Sequence, residues 1–196
     1  MIYGHWLNTE NYYLLNKNNK NPAKNRIFLL VFMKIEILKQ EHWQEVRAIF
    51  IGGILTKNAT FTTVNEVLDW KNWSENYFLH SRLIAKENNT ILGWAVLTPY
   101  SKKYAYRGVA EVSVYISEIS KNKGIGTKLL KKLIETSEKN NIWTLQSRIY
   151  PENRASLHIH KKNNFKVIGV MKKVAQIDKI WRDVIILERR SKKVGN

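Results

Sequence analysis

Lys121-Asn122-Lys123-Gly124-Ile125-Gly126 divides a strand pattern from a helix pattern. After it, Ile125, Leu129, Leu130, Leu133 and Ile134 fall on one stripe, with Lys128, Lys131, Lys132 and Glu138 off it. Before it, residues 109–116 alternate, with Val112, Val114 and Ile116 on one face. A glycine pair at such a junction has two readings. It is a tight turn, or it brings the backbone close to an anion held on the free N–H groups of the helix start. Lys121 and Lys123 add positive charge, which makes the second reading a pyrophosphate cradle. The full Gly-rich dinucleotide fingerprint is missing, and no Gly-Lys-Ser/Thr follows for a nucleoside triphosphate.

Outward from the junction, helix and strand patterns alternate. Residues 34–38 alternate as a first strand. Residues 40–54 carry Trp43, Val46, Ile49 and Phe50 at helical spacing, and residues 63–78 read as a second helix. Residues 83–85 and 91–97 are strands joined by the turn-like Glu87-Asn88-Asn89. Downstream come a strand over 142–150, a helix over 153–162, and closing strands over 166–174 and 180–187. The pattern is one α/β domain with a mixed sheet. Residues 1–32 differ: they hold seven Asn, three Tyr and one acidic residue, Glu10. They are expected to be an upstream extension or a flexible arm, with the domain running over 33–190 and a basic tail over 191–196.

The chain has 196 residues, a normal domain size, with 44% hydrophobic and 25% charged residues. That composition excludes collagen-like, low-complexity and disordered classes. Lys and Arg number 33 against 16 Asp and Glu, a net charge of +17, which calls for an anionic partner without naming it. There is no cysteine, so disulfides, Cys-ligated zinc and thiol catalysis are excluded. The longest apolar run, residues 27–33, is far short of the roughly 20 residues of a membrane span. A cytoplasmic protein is expected, with no membrane partner.

Several strings together resemble one superfamily. They are Val114-Tyr115-Ile116, Lys121-x-x-Gly124-x-Gly126, Asn153-x-x-Ser156 and Asn164-Phe165, and they are similar to the signature segments of the GNAT N-acetyltransferases. Asn58-Ala59-Thr60-Phe61, Ala105-Tyr106 leading to Ala110-Glu111-Val112-Ser113, and Ser156-x-x-x-His160 look like the phosphinothricin acetyltransferase branch. The resemblance runs from about residue 33 to 188. It implies the acyl-CoA N-acyltransferase fold, a mixed central sheet of about seven strands with about four helices.

It also implies acetyl-CoA as co-substrate, no metal, a small amino-acid-like amine acceptor of the phosphinothricin or methionine sulfoximine type, and a homodimer. By the family's motif, the pyrophosphate lies on Lys121, Asn122, Lys123, Gly124, Ile125, Gly126 and Thr127. The pantetheine arm runs along Val114, Tyr115 and Ile116, pairing at Val114 and Ile116, and Asn153 and Ser156 flank its end. Two positions depart from the pattern. Lys121 stands where the family has Arg or Gln, keeping charge but not the bidentate fork. Asn164 stands where it has Gly; Asn tolerates the left-handed conformation such a helix end needs.

An amine must lose a proton before it attacks a thioester. The resemblance makes Glu111 the expected base, at the start of the strand that carries the cofactor, with a strand N–H near Val114 as oxyanion donor. His160 is a second candidate, for proton transfer or for packing near the thiol, and Tyr150 a third, as proton donor to the thiolate. His158 has no such support. Phe61, Tyr104, Tyr106 and Arg107 are expected to line the acceptor pocket, with Lys102 and Lys103 nearby. Two rivals stand beside this reading. One is a GNAT enzyme acting on a peptide N-terminus or a polyamine. The other is a basic nucleic-acid-binding module, disfavoured because the cations are dispersed and no nucleic-acid motif appears.

Overall fold

The computed structural model describes residues 33–195; the expected extension over 1–32 lies outside them. Seven strands form one sheet: β1 Met33–Ile37, β2 Leu83–Glu87, β3 Thr90–Pro99, β4 Val109–Ile116, β5 Thr144–Ile149, β6 Lys166–Ile177 and β7 Ile180–Arg190. Their order is β1-β2-β3-β4-β5-β7-β6. β4 and β5 run parallel, whereas β2–β3, β3–β4, β5–β7 and β6–β7 are antiparallel. Four α-helices accompany the sheet among the described residues: α1 Trp43–Leu55, α2 Trp70–Ser74, α3 Ile125–Lys139 and α4 Arg154–Lys162.

Alternation along β3 feeds two different cores. Trp94 and Val96 join Trp43, Val46, Phe50 and Trp73 in a buried cluster under α1. Ala95 and Leu97 point to the opposite face, where the stripe of α3 lies. Leu129, Leu130 and Leu133 of that stripe are fully buried, and each such side chain contributes about 1.5–3 kcal/mol by leaving water. Tyr115 of β4 stacks on Trp94 with ring centroids 4.5 Å apart, so odd-numbered β4 residues face α1.

The single helix expected over 63–78 is instead a 3-10 turn, Val64–Glu66, followed by the short α2. The Glu66 carboxylate accepts from both the N–H and the hydroxyl of Thr63, at 2.7 and 2.8 Å, closing one turn early. Asp69 then caps a fresh start, its Oδ1 accepting the N–H of Asn72 at 2.9 Å. Two caps so close together leave no room for a continuous helix. The break lets Trp73 drop into the core beside Trp43 at 4.7 Å.

β6 runs on to Ile177, past the expected end, because a bulge resets its register between Met171 and Ala175. Asp183 holds the bulge, accepting from the Lys173 N–H at 2.9 Å and the Lys172 ammonium at 2.7 Å. β7 also outlasts its expected end, pairing with β5 as far as Thr144 opposite Arg190. Beyond it, Ser191 donates its N–H to the Trp143 carbonyl at 2.8 Å.

Helix α4 ends in a two-bond cap. Asn164 has φ of 65°, its N–H donates to the Lys161 carbonyl at 3.0 Å, and the Phe165 N–H reaches back to the His160 carbonyl at 3.1 Å. The same cap lays the Phe165 ring edge-on to His160, with centroids 4.9 Å apart.

Candidate active site

β4 and β5 pair only over three positions, Val109 with Thr144, Ala110 with Leu145 and Glu111 with Gln146. Past Glu111 they part, while β4 stays paired to β3 as far as Ile116 opposite Gly93. The Ser117 N–H donates to the Leu92 carbonyl, and the Val109 carbonyl accepts from the Tyr100 N–H. Odd residues of β4 therefore turn their backbone groups toward β3. By alternation Val112, Val114 and Ile116 turn theirs toward β5, and beyond the Glu111–Gln146 pair those of Val114 and Ile116 face the gap. A cavity of about 390 Å³ occupies it, lined both by Glu111, Ser113 and Tyr115 from the α1 side and by Asn153, Ser156 and His160 of the α4 segment.

The Gly-x-Gly loop sits at the start of α3, a 15-residue helix. Its two glycines serve different needs. Gly124 has φ of 75° with open space around it, so the backbone conformation requires it. Gly126 is a matter of room, because a Cβ there would lie 3.2 Å from Ile159 Cδ1 and 3.6 Å from Ile116 Cγ1. The first helical bond closes from the Lys128 N–H to the Gly124 carbonyl at 3.2 Å, which leaves the amides of Ile125, Gly126 and Thr127 as first-turn donors. Lys121 forms an ion pair with Glu118, and Asn122 and Lys123 are exposed beside the loop.

Glu111 lines the cavity and takes a hydrogen bond from Arg148 Nη1 across the mouth of the gap. Phe61 and Tyr150 pack edge to face, centroids 4.9 Å apart, on another wall. The Tyr150 hydroxyl is buried with no partner among the described residues. Burial pushes its pKa up to about 12, against the pull of the Arg182 cation, which lies 4.6 Å from the ring centroid. Asn153 caps α4, its Oδ1 accepting the Ser156 N–H at 3.1 Å, while its Nδ2 donates to the Asn58 carbonyl at 2.9 Å. The residue expected at the pantetheine end thus also ties the 58–61 segment to α4.

His160 is 2% exposed. Its Nδ1 lies 2.8 Å from the Ser156 carbonyl, and since a carbonyl only accepts, Nδ1 carries the proton. Nε2 is therefore the unprotonated nitrogen of the neutral ring, buried and without a partner among the described residues. Burial lowers the His160 pKa to about 4, the Ser156 bond opposing it. Folded His160 binds a proton less readily than unfolded His160, so stability is lost as pH falls from 6.5 toward 4. The expected loss is on the order of 3 kcal/mol at 1.36 kcal/mol per pKa unit. Urea melts of the wild type and of His160→Asn across that window test this: the variant should show a flatter dependence, and parallel curves would refute the assignment.

The structure does not bring every expected residue to the cavity. Tyr104–Tyr106 form a 3-10 turn, with Tyr104 77% and Tyr106 44% exposed. The Arg107 guanidinium lies over the rings of Tyr104 and Trp143, at 4.2 and 5.1 Å. None of the three lines the cavity. His158 points to solvent. Conversely, sequence reading missed Arg148, and Met171, Val174, Ala175 and Val184 from the β6–β7 hairpin. A signal for Arg148 was present in Thr144-Leu145-Gln146-Ser147-Arg148-Ile149, where Thr144, Gln146 and Arg148 alternate on one polar face of the strand. Among the described residues no group of three or more His, Asp or Glu side chains gathers to hold a metal.

The sheet is thus slotted between β4 and β5, with the first-turn amides of α3 beside the slot. The model of the acetyltransferase (GNAT) family matches residues 43–165, and the chain belongs to that family. It is 33% identical over 108 residues to a phosphinothricin N-acetyltransferase of Alcaligenes faecalis, covering 55% of each chain. It is 30% identical over 98 residues to an L-methionine sulfoximine/L-methionine sulfone acetyltransferase of Pseudomonas aeruginosa, covering 50% of this chain and 57% of that one. The chain thus spans less than two thirds of the length of these curated relatives. In fold it resembles yncA from Salmonella typhimurium, a structure solved with its cofactor acetyl-CoA, with a TM-score of 0.74 and 24% identity over 81% of this chain and 94% of that one.

Proposed function

We propose that this protein is an acetyl-CoA-dependent N-acetyltransferase whose acceptor is a small amino-acid-like amine. The observation that carries this reading is Glu111 on the wall of a gap into which the backbone of Val114 and Ile116 turns beyond the last β4–β5 pair. The residues present suit the cofactor: an open strand edge for the pantetheine arm, first-turn amides and Lys123 for the pyrophosphate, and two orphaned polar atoms, the Tyr150 hydroxyl and His160 Nε2. The relatives named for phosphinothricin and methionine sulfoximine support the acceptor class.

Acetyl-CoA, when bound, supplies the thioester carbonyl that the amine attacks and the thiolate that leaves. Glu111 takes the proton from the acceptor's ammonium, directly or through a water, so that the nitrogen lone pair is free. The Val114 N–H offers a donor where negative charge develops on the carbonyl oxygen. Tyr150, protonated throughout the physiological range, holds a proton for the departing sulfur. His160 keeps an acceptor in the cavity rather than a donor, which suits holding an N–H or S–H group in place. No covalent enzyme intermediate is needed, in keeping with a chain that has no cysteine. The exposed apolar residues Val167, Ile168 and Val170 on the edge strand β6 support self-association into a homodimer.

The test is CoA-thiol release from acetyl-CoA against phosphinothricin, methionine sulfoximine, the standard amino acids, spermidine and a short peptide. Turnover on a small amino acid is expected. Turnover on the peptide or spermidine alone would overturn the acceptor class. Silence across the panel, with no thermal shift from acetyl-CoA, would overturn the enzyme reading and leave the +17 charge to a nucleic acid.

A further inference from the structure

Arg148 is the cation on the cavity wall that the mechanism above leaves without a task. It extends from β5 on the same face as Gln146, and Gln146 opposes Glu111 across the parallel pair. Only Nη1 of its guanidinium is engaged, on Glu111 Oε2; Nη2 and Nε have no partner among the described residues. The side chain is 41% exposed and that of Glu111 30%, so the pair sits at the mouth of the cavity. An ion pair this exposed is weakly held. The neighbouring charges are arranged not to compete. Gln146 is bonded to Glu188 at 3.1 Å, and Arg182, which lies over Tyr150, donates to Glu152 at 3.0 Å.

We infer that Arg148 anchors the carboxylate of the acceptor, making the site selective for an amine that carries a carboxylate on the same carbon. This rests on the acetyltransferase reading above and narrows it. The two free donors form one side of a planar fork, the shape that takes a carboxylate bidentately. The Glu111 carboxylate lies at the other end of the same guanidinium. An α-amino acid presents its carboxylate and its ammonium side by side, in the same order as Arg148 and Glu111. Seating the carboxylate on Arg148 therefore delivers the α-ammonium to the base. The juxtaposition also selects the nitrogen: lysine as acceptor is acetylated at Nα, because its side-chain amine cannot reach Glu111 while the carboxylate stays on Arg148.

The experiment compares a free amino acid with its methyl ester, which removes the negative charge and keeps the amine. Wild type is expected to favour the free acid by about 50-fold in kcat/KM, the range of a hydrogen-bonded charge pair, with most of the difference in KM. In Arg148→Met that preference should collapse to near unity, through a far larger loss on the free acid than on the ester. Arg148→Lys should keep an intermediate preference, since it restores charge without the fork. A wild type that uses acid and ester equally would overturn the inference without touching the acetyltransferase reading. So would an Arg148→Met loss equal on both substrates, the outcome if Arg148 merely props Glu111. Acetyl-CoA binding with no turnover of any small amine would overturn the acceptor class, and this inference with it.

Discussion

Glu111→Gln is expected to lower kcat/KM for an amino-acid acceptor by about 100-fold, the lower range for a positioned general base. Glutamine keeps the length of the side chain and can still accept from Arg148 through its carbonyl oxygen. What it loses is the capacity to hold the acceptor's proton. Because the elements proposed to hold the cofactor lie elsewhere, on the Gly124–Gly126 loop and the far half of β4, acetyl-CoA affinity should stay within about twofold. The two readouts, thiol release and calorimetric titration of acetyl-CoA, separate a lost base from a damaged fold. The deficit should also shrink as pH rises toward the amine's own pKa, where free base is present without help. A loss below about threefold at neutral pH, or an equal loss of cofactor binding, would remove Glu111 from the role of base.

Glu138→Ala should produce the largest loss of stability. Glu138 is buried in the last turn of α3, the end of a helix where a negative charge is disfavoured by the dipole. Three donors offset that. Arg189 approaches Oε1 with both terminal nitrogens at 3.0 and 3.1 Å, Ser191 donates to the same oxygen at 3.1 Å, and Lys193 reaches Oε2 at 3.1 Å. Burial alone would raise the carboxyl pKa, but the bonds from Lys193, Arg189 and Ser191 outweigh it, so the pKa is lowered. Removing the carboxylate leaves the largely buried Arg189 uncompensated, at a cost of about 3 kcal/mol. For a chain of this size that is a fall in Tm of about 6–12 °C. The sign with pH follows: the carboxylate's contribution is complete above pH 4.5 and lost as pH falls through the lower folded pKa. A Tm within about 2 °C of wild type would show that the cluster contributes little.

Much of the architecture was legible because its signals are local. The α3 stripe, the alternation of β4 and the Gly124–Gly126 junction each lie within a few residues, and so does the Asn164 cap. The break between residues 63 and 78 was also written locally, in Thr63-x-x-Glu66 and in Asp69, but helical spacing across the segment masked it. The site was less legible. Glu111 and His160 come from motifs, whereas Arg148 meets Glu111 from 37 positions away, through a pairing that no local pattern announces. Tyr104 and Tyr106 run the other way: they were expected on the acceptor pocket, and the 3-10 turn before β4 leaves them exposed and outside the cavity lining. Near the end of the chain several cations are engaged internally: Arg189, at the end of the domain, and Lys193, in the stretch read as a basic tail, lie on Glu138, and Arg190 bonds the Trp143 carbonyl at 2.9 Å.

The parting of β4 from β5 has a consequence for the order of events in catalysis. A pit admits its ligands one behind the other, but a slot cut through a sheet has a mouth on each face. The helix α3 and its loop serve one mouth, and Glu111 with Arg148 guards the other. On the proposed function, donor and acceptor would reach the slot from opposite faces of the sheet, so neither would have to enter behind the other.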